Sequence, residues 1–520
     1  MTKFAPLLVD GYKTGHKDQY PENARVVFSN MTPRGSRVPG VDKVVFFGLQ
    51  YFLKEYVIKN WNESFFSQPV ETAVKRYSRV LNAYLGPNNI GDQHLRDLHK
   101  LGYLPLEFLA LPEGSQVPLR VPMYIVYNTR PDVMPDAVFA WLTNNIETIA
   151  STTIWMPTTS ATTALQYRRL FQKWAKETNS EMLGFVPWQG HDFSFRGHAS
   201  CESAITSAAG HLLSFTGTDT VPVLEWLEEY YGANLDTELV GGSVAATEHS
   251  VMCMGGLEDE VETFRRLIED IYPTGIVSIV SDTWDFWNVV DPDNGICVKL
   301  YDKIMARNGK VVIRPDSGCP VKISTGYMVE EIGVDDLGNY YELETGKPLT
   351  PNEVKGMVQC LYEIFGGTET KEGYIQLDPH IGAIYGDSIT LARANAICER
   401  LARKGFASTN MVYGIGSYTY QLVTRDTYGF AVKSTYGEVV NEAGEIEGVE
   451  IFKDPKTDDG LKKSAKGLTA VYREGDTFVL KDQATWDEVN NCALVKVFSN
   501  GKMTREWTLA EIRAEVEKAL

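Results

Sequence analysis

The residues of this chain that could do chemistry sit in a few short runs. "GGSVAATEHSVMCMGG" (241–256) sets Glu248 and His249, one of only eight histidines among 520 residues, behind a row of small side chains. Glycine, serine and alanine bury little apolar surface but let a ligand come close to the backbone. "HDFSFRG" (191–197) joins Phe193 to Arg196, an aromatic face beside a guanidinium, which suits a flat heteroaromatic ligand with an anion nearby. "FTGTDTV" (215–221) carries Asp219, "VSDTWD" carries Asp282, and "RPDSG" (314–318) sets Arg314 two residues from Asp316. "YGDS" and "GIGS" are glycine-bearing turns, Gly386 with Asp387 and Gly416 with Ser417, whose N–H groups suit a phosphate.

Each run also has a plainer reading. Asp219, ahead of "VPVLEWLEEYY", caps a helix; Arg314 and Asp316 close a turn as an ion pair; His249 is a core histidine. The lysine-rich "FKDPKTDDGLKKSAKG" (452–467), with Lys453 and Lys462, is either a solvated loop or a phosphate-collecting arm. The chain has no Ser–His–Asp elbow motif and no GxxxxGK[ST] loop. Carboxylates combined with phosphate-binding turns suit chemistry on a phosphorylated sugar. The carboxylates would stabilise an oxocarbenium-like centre, and amides and lysines would hold the phosphates.

Residues so far apart in sequence need a scaffold that gathers them. From about 151 to 420, short β-branched runs end in these polar residues, and helical stretches follow several of them: "GIVSIVSDTWD", "KVVIRPDSG", "HIGAIYGDSI", "NMVYGIGSYT". Apolar runs without alternation, separated by helices, predict parallel strands covered on both faces, with the polar residues at their C-terminal rim. The expected architecture is α/β: an irregular, TIM-like α/β barrel over 151–420, and an α+β domain formed from 1–150 and 421–520. Residues 321–353, polar and turn-rich, read as an insertion.

Composition narrows the partners. A hydrophobic share of 43% and a charged share of 23% are those of a globular chain, and its length allows two or three lobes. A formal net charge of −18 argues against nucleic acid or a membrane surface as the main partner. Seven scattered cysteines, none in a C-x-x-C spacing, favour a reducing compartment over a disulfide framework or a zinc site. No apolar run is long enough for a bilayer span or a signal peptide. The expected location is cytoplasmic.

Twelve segments, in order along nearly the whole chain, carry a family likeness: "LLVDGYKTGHKDQYP", "FFGLQYFL", "WLTNNIET", "HDFSFRG", "FTGTDTV", "SVAATEHS", "VSIVSDTWD", "VVIRPDSG", "YGDS", "QLVTRD", "IFKDP" and "VFSNGK". With them the chain resembles the nicotinamide phosphoribosyltransferases, of the type II phosphoribosyltransferase family. The resemblance implies condensation of nicotinamide with 5-phosphoribosyl-1-pyrophosphate, requiring Mg2+, with ATP hydrolysis coupled through a phosphohistidine. It also implies a homodimer with active sites shared between subunits. On this chain His249 would take the phosphoryl group, with Asp282 orienting its imidazole and Glu248 beside it. Phe193 and a partner subunit's Tyr12 would sandwich the pyridine ring, with Ser243 along the slot and Arg196 and Arg314 near ring and phosphates. Asp316 and Asp387 would hold the ribose hydroxyls, and Gly416 and Ser417 the 5′-phosphate. Arg425, Lys433, Lys453 and Lys462 would collect further phosphates. The protein groups that touch the metal stay open.

Two features depart from the family pattern: the phosphate turn "GIGSY" has fewer glycines, and the 321–353 insertion exceeds it. The rival activities are nicotinate phosphoribosyl transfer and non-catalytic ligand binding. Asp219 decides for the amide, because a carboxylate facing nicotinate's own carboxylate at about 4 Å costs roughly 4 kcal/mol at an effective dielectric near 20.

Overall fold

The computed structural model describes residues 3–130, 139–452 and 465–520. They form two compact units. One comprises Met1–Thr162, Leu224–Glu238 and Val423–Leu520, the other Thr163–Val223 and Leu239–Leu422. The composition had placed the breaks at 150 and 420. It gave no sign that 224–238 leaves the central run to join the unit made from the chain ends.

That first unit is built on a seven-stranded antiparallel sheet whose strands come from both ends of the chain. Ala24–Pro33 lies inside it, paired on one side with Phe430–Val440 and on the other with Tyr124–Asn128. Val26, Val27, Phe28 and Met31 are buried, which is what commits this strand to the sheet interior. Glu113 is also buried here. It accepts hydrogen bonds from the N–H groups of Gly48 (2.8 Å) and Gln50 (2.6 Å) and from the Tyr231 hydroxyl (2.9 Å).

The second unit holds seven parallel strands: β1 (Gly190–Asp192), β2 (Gly217–Thr218), β3 (Ala245–Ala246), β4 (Thr274–Val280), β5 (Asn308–Arg314), β6 (Ile381–Tyr385) and β7 (Met411–Ile415). Their order is β2-β1-β7-β6-β5-β4-β3, and the sheet is curled. A parallel bridge from Gly217 to Gly242, three residues before β3, brings its two edges together.

The unbroken apolar runs of the sequence conceal a period of two. Val277, Ile279, Val311, Ile313, Tyr385, Met411 and Tyr413 face outward into a buried cluster with the covering helices. Their alternates Ile276, Ser278, Val312, Ile384 and Val412 line an internal cavity instead. Both faces are apolar because both face protein or a largely apolar cavity. Helix Leu391–Arg403 shows its side of that packing: Ala394, Ile397, Cys398 and Leu401 fall at i, i+3, i+4 and i+7 and are all buried.

The insertion is an antiparallel three-stranded meander: Ile332–Val334, Tyr340–Glu342 and Pro348–Leu349. Glu331 pins it to helix Leu391–Arg403 through a bidentate pair with Arg400 (2.9 and 2.6 Å), and Lys322 adds a third contact at 2.6 Å. Burial opposes ionisation of Glu331, but these cations and the Met328 N–H prevail and hold its pKa down to about 2. No helix among the described residues is long and apolar enough to cross a membrane.

Candidate active site

Seven parallel strands present the residues that follow them at one common edge, the usual place for a ligand in such sheets. Phe193 follows β1, Asp219 follows β2, and Glu248 and His249 follow β3. Asp282 follows β4, Arg314 ends β5 with Asp316 just beyond, Gly386 and Asp387 follow β6, and Gly416 and Ser417 follow β7. The topology therefore gathers Phe193, Asp219, Glu248, His249, Asp282, Arg314, Asp316, Gly386, Asp387, Gly416 and Ser417 at that edge, whereas Ser243 lies just ahead of β3 and Arg196 on the turn beyond Phe193.

The cavity, about 390 Å³, is lined from Arg314 at the end of β5 back to Lys310 near its start. Its size is at the lower end of ordinary small-molecule sites. The Phe193 ring stands in its wall, with the His191 ring centre 4.6 Å away and the Arg314 guanidinium 6.0 Å away. Asp219 lines the same cavity. Its Oδ1 lies 2.7 Å from His191 Nε2 and accepts from the Ser243 hydroxyl at 2.9 Å. Burial pushes the Asp219 carboxyl up, but hydrogen bonding and charge from His191, the Ser243 bond and Arg314 outweigh it, so the group lies below its usual range. The chain can approach this closely because residue 217 is glycine: a Cβ there would stand 2.5 Å from His191 Nδ1. Asp219 does not act as a helix cap; its neighbour Asp192 is the structural carboxylate, buried and bonded to Ser194, Thr218 and Thr220.

Beside the cavity stands a cluster of one imidazole and several carboxylates. Asp282 Oδ2 accepts from the N–H groups of Asp316 (2.9 Å) and Ser317 (2.7 Å) and from the Ser317 hydroxyl (2.5 Å). Its Oδ1 is buried, has no hydrogen-bond partner, and lies 3.7 Å from His249 Nε2. The His249 ring is about half exposed; Nδ1 meets the Thr283 hydroxyl at 3.0 Å, and Nε2 is also 3.9 Å from Asp316. Glu248 turns away to accept from the Ser250 hydroxyl.

Asp316 Oδ1 and Arg314 Nε are likewise buried without hydrogen-bond partners, facing each other at 3.9 Å. Burial raises the Asp316 carboxyl; Arg314 opposes that and Asp282 adds to it. Arg314 is itself fixed by donating to the carbonyl of Thr247 at 2.5 Å. Buried polar atoms left without partners at the rim of a cavity are ready to meet a polar ligand.

The two glycine turns complete this edge. Gly416 precedes the short helical turn Ser417–Tyr420, whose first N–H groups need outside acceptors. Arg196 is exposed on the turn Phe195–Gly197, which is tied to the same region by His198 and the Ala199 N–H, both bonded to Gln421 (3.0 and 3.1 Å). Among the described residues no group of three or more His, Cys, Asp or Glu side chains is set to hold a metal ion.

The remaining candidates belong to the unit formed by the chain ends. Tyr12 is 67% exposed. Lys433 lies 3.9 Å from Glu147, and among the described residues Arg425 pairs only with its neighbour Asp426 at 3.4 Å. Burial lowers the Lys433 pKa; Glu147 opposes this, and the positive charges of Arg34, Lys13 and Arg425 reinforce it. Glu147 thus faces two lysines, Lys13 at 2.6 Å and Lys433, with Arg34 and Arg425 near enough to Lys433 to repel it. Lys453 and Lys462 lie outside the described residues.

Sequence reasoning missed His191, Lys13 and Arg34. His191 opened a quoted run but was passed over; Lys13 and Arg34 carry no periodic signal, only their places in "GYKTG" and "PRGSR".

Comparison with known proteins gives three findings. The model of the nicotinate phosphoribosyltransferase family matches residues 188–502, and that of the nicotinamide phosphoribosyltransferase N-terminal domain matches residues 5–83. Nicotinamide phosphoribosyltransferase of Acinetobacter baylyi is 48% identical, over 98% of this chain and 97% of its own. The enzyme of that name from Xanthomonas campestris is 32% identical, over 99% and 98%. Among solved structures, nicotinate-nucleotide pyrophosphorylase from Pyrococcus furiosus superposes with a TM-score of 0.57 at 14% identity, covering 99% of this chain and 95% of that one; this likeness concerns the fold alone.

Proposed function

The chain belongs to the nicotinate phosphoribosyltransferase family, and from that premise we propose that it transfers the 5-phosphoribosyl group of 5-phosphoribosyl-1-pyrophosphate to nicotinamide. The pyridine nitrogen bonds to ribose C1 as the C1–O bond to pyrophosphate breaks, giving nicotinamide mononucleotide for NAD salvage. The enzyme is a pentosyltransferase.

The observation that carries the choice of nicotinamide is Asp219 in the cavity wall, an ionised carboxylate steadied by His191 and Ser243. A carboxylate accepts hydrogen bonds and donates none, so it suits a carboxamide N–H and repels nicotinate. In this reading Phe193 carries one face of the ring, Arg314 and Arg196 lie toward the phosphates, and Asp316 and Asp387 take the ribose hydroxyls. As positive charge grows at C1, the carboxylates stabilise it. The Gly416–Ser417 turn takes the 5′-phosphate.

His249 is the proposed phosphoryl acceptor from ATP. A carboxylate against one ring nitrogen makes the other the better nucleophile. The N–P bond forms as the bond from the γ-phosphorus to ADP breaks, and water later releases phosphate. Mg2+ fits the same site: the unpartnered Asp316 oxygen is a hard donor of the kind that ion takes alongside substrate phosphates. Bound there, it would neutralise charge on the leaving pyrophosphate.

The strands are read as an irregular barrel closed at the Gly217–Gly242 bridge. The functional assembly is read as a homodimer in which the partner subunit's Tyr12 covers the second face of the ring. Seven cysteines, all free thiols, fit a reducing cytoplasm.

The test is direct: incubate the enzyme with 5-phosphoribosyl-1-pyrophosphate, Mg2+ and either nicotinamide or nicotinate, and quantify both mononucleotides. Preferential nicotinamide mononucleotide is expected, with more of it when ATP is present. Preference for nicotinate, or no product from either, would overturn the reading.

A further inference from the structure

Helix Leu391–Arg403 starts at Thr390, whose hydroxyl accepts the N–H of Arg393 at 3.2 Å. Arg393 is therefore a cation in the first turn, where the helix already concentrates positive charge. Such a placement is locally unfavourable and asks what the side chain does elsewhere. Its Nη1 turns back and donates to the carbonyl of Ser388 at 2.6 Å, and its guanidinium carbon lies 5.9 Å from the ring centre of Tyr418. Among the described residues it has no ion-pair partner.

The two groups it touches belong to different turns of the site. Ser388 has φ +56°, a left-handed conformation that a residue with a Cβ rarely adopts. Its hydroxyl donates to Asp387 Oδ2 at 2.6 Å, so the conformation held at Ser388 aims the Asp387 carboxylate. Tyr418 belongs to the turn directly after Gly416. One further tie joins the same two segments: the Ile389 carbonyl accepts from the Thr419 hydroxyl at 2.8 Å and from the Tyr167 hydroxyl at 3.0 Å.

We infer that Arg393 is a positioning residue for the phosphoribosyl donor: by holding the Ser388 carbonyl and lying over the Tyr418 ring, it sets the distance between the Asp387 carboxylate and the Gly416–Ser417 amides. The diol and the phosphate of a phosphoribosyl donor, separated by one ribose ring, are what those two groups would hold together. The inference rests on the phosphoribosyl-transfer reading above. It gives Tyr418, in the glycine-poor turn "GIGSY", a use: its ring is the surface over which Arg393 lies.

Steady-state kinetics test it. In Arg393→Ala the KM for 5-phosphoribosyl-1-pyrophosphate should rise about tenfold while kcat and the KM for nicotinamide stay within about twofold. Arg393→Lys should recover part of the loss, since an ammonium can still donate to Ser388 but has no second guanidinium nitrogen to reach over the ring at the same time. Tyr418→Phe should match wild type, because the contact uses only the ring. Tyr418→Leu should raise the same KM about threefold, and adding it to Arg393→Ala should do no more than Arg393→Ala alone. Tyr418 is 54% exposed, so its variants carry the test if Arg393→Ala does not fold. An unchanged donor KM in Arg393→Ala or Tyr418→Leu would overturn the inference, as would an equal loss for both substrates accompanied by a lower melting temperature. A wild-type enzyme that forms no nicotinamide mononucleotide would instead overturn the functional reading beneath it.

Discussion

His191 Nε2 and the Ser243 hydroxyl both meet Asp219 at the same oxygen, Oδ1, at 2.7 and 2.9 Å. The other oxygen has no hydrogen-bond partner among the described residues and stays an acceptor on a group that lines the cavity. Two neighbours thus fix the carboxylate without using up its capacity to read a ligand. Since His191, Ser243 and Arg314 hold its pKa below the usual carboxylate range against the effect of burial, the group remains an anion through neutral and mildly acidic pH.

Asp219→Ser should therefore move selectivity toward nicotinate. The repulsion removed is up to about 4 kcal/mol, and because solvent and rearrangement reduce it, the ratio of kcat/KM values for nicotinate over nicotinamide should rise about 10- to 100-fold. In the wild type that ratio should be flat between about pH 6 and 8, because the carboxylate loses its charge only on falling through its lowered pKa. A ratio unchanged in the variant would remove Asp219 from the account of specificity.

Asp282 and His249 should separate in their effects. His249→Ala should abolish the gain from ATP and leave measurable transfer, because Asp316, Asp387 and the glycine turns are untouched. Asp282 also holds the N–H groups of Asp316 and Ser317 in place, so Asp282→Ala should lower transfer without ATP as well, by about 100-fold, as expected when a catalytic group is misplaced by an ångström. Label from γ-labelled ATP should appear on wild type and be absent from His249→Ala.

Much of this site was legible because Asp282, Arg314, Asp316 and Asp387 each end or follow a β-branched run, and a parallel sheet sends such residues to one edge. His191 was hidden because its strand is only Gly190–Asp192, too short for a pattern to show. The two covered faces of β4 to β7 were legible, but not which of them lines the cavity, since an apolar cavity and an apolar helix layer look the same in sequence. Glu113 in "LPEGS" reads as an ordinary turn acid; only the tertiary fold buries it against Gly48, Gln50 and Tyr231.

That burial gives the first unit a pH dependence with a definite sign. Burial lifts the Glu113 pKa from 4.5 to about 7, against the pull of its three donors. A carboxyl with a raised folded pKa binds its proton in the native state before it does so in the unfolded chain. Its contribution is therefore most favourable below about pH 4.5 and falls as pH rises toward 7, then levels off. The melting temperature of wild type minus that of Glu113→Gln should decrease from pH 5 through pH 7 and level off above about pH 8, on the order of a few degrees in all. A difference that increases with pH would show that Glu113 is held as an anion.

Gly386 sets the position of Asp316 by having no side chain. A Cβ at residue 386 would stand 1.9 Å from Asp316 Oδ1, an oxygen already buried without a hydrogen-bond partner, and 3.6 Å from Arg314 Cδ. The carboxylate would have to swing away, because Asp316 is anchored through its own N–H to Asp282 and its backbone cannot follow. Gly386→Ala adds one methyl group at the end of β6, where the backbone needs no left-handed conformation, so stability should change by only about 1 kcal/mol. The displaced carboxylate should lower kcat about 100-fold for transfer to nicotinamide. Because the ring slot at Phe193 and Asp219 is not touched, binding of nicotinamide alone, followed by calorimetry, should be retained. Full activity in a folded Gly386→Ala enzyme would mean that Asp316 Oδ1 has no part in the reaction, whereas loss of nicotinamide binding along with kcat would mean that the turn after β6 supports the ring slot rather than the ribose.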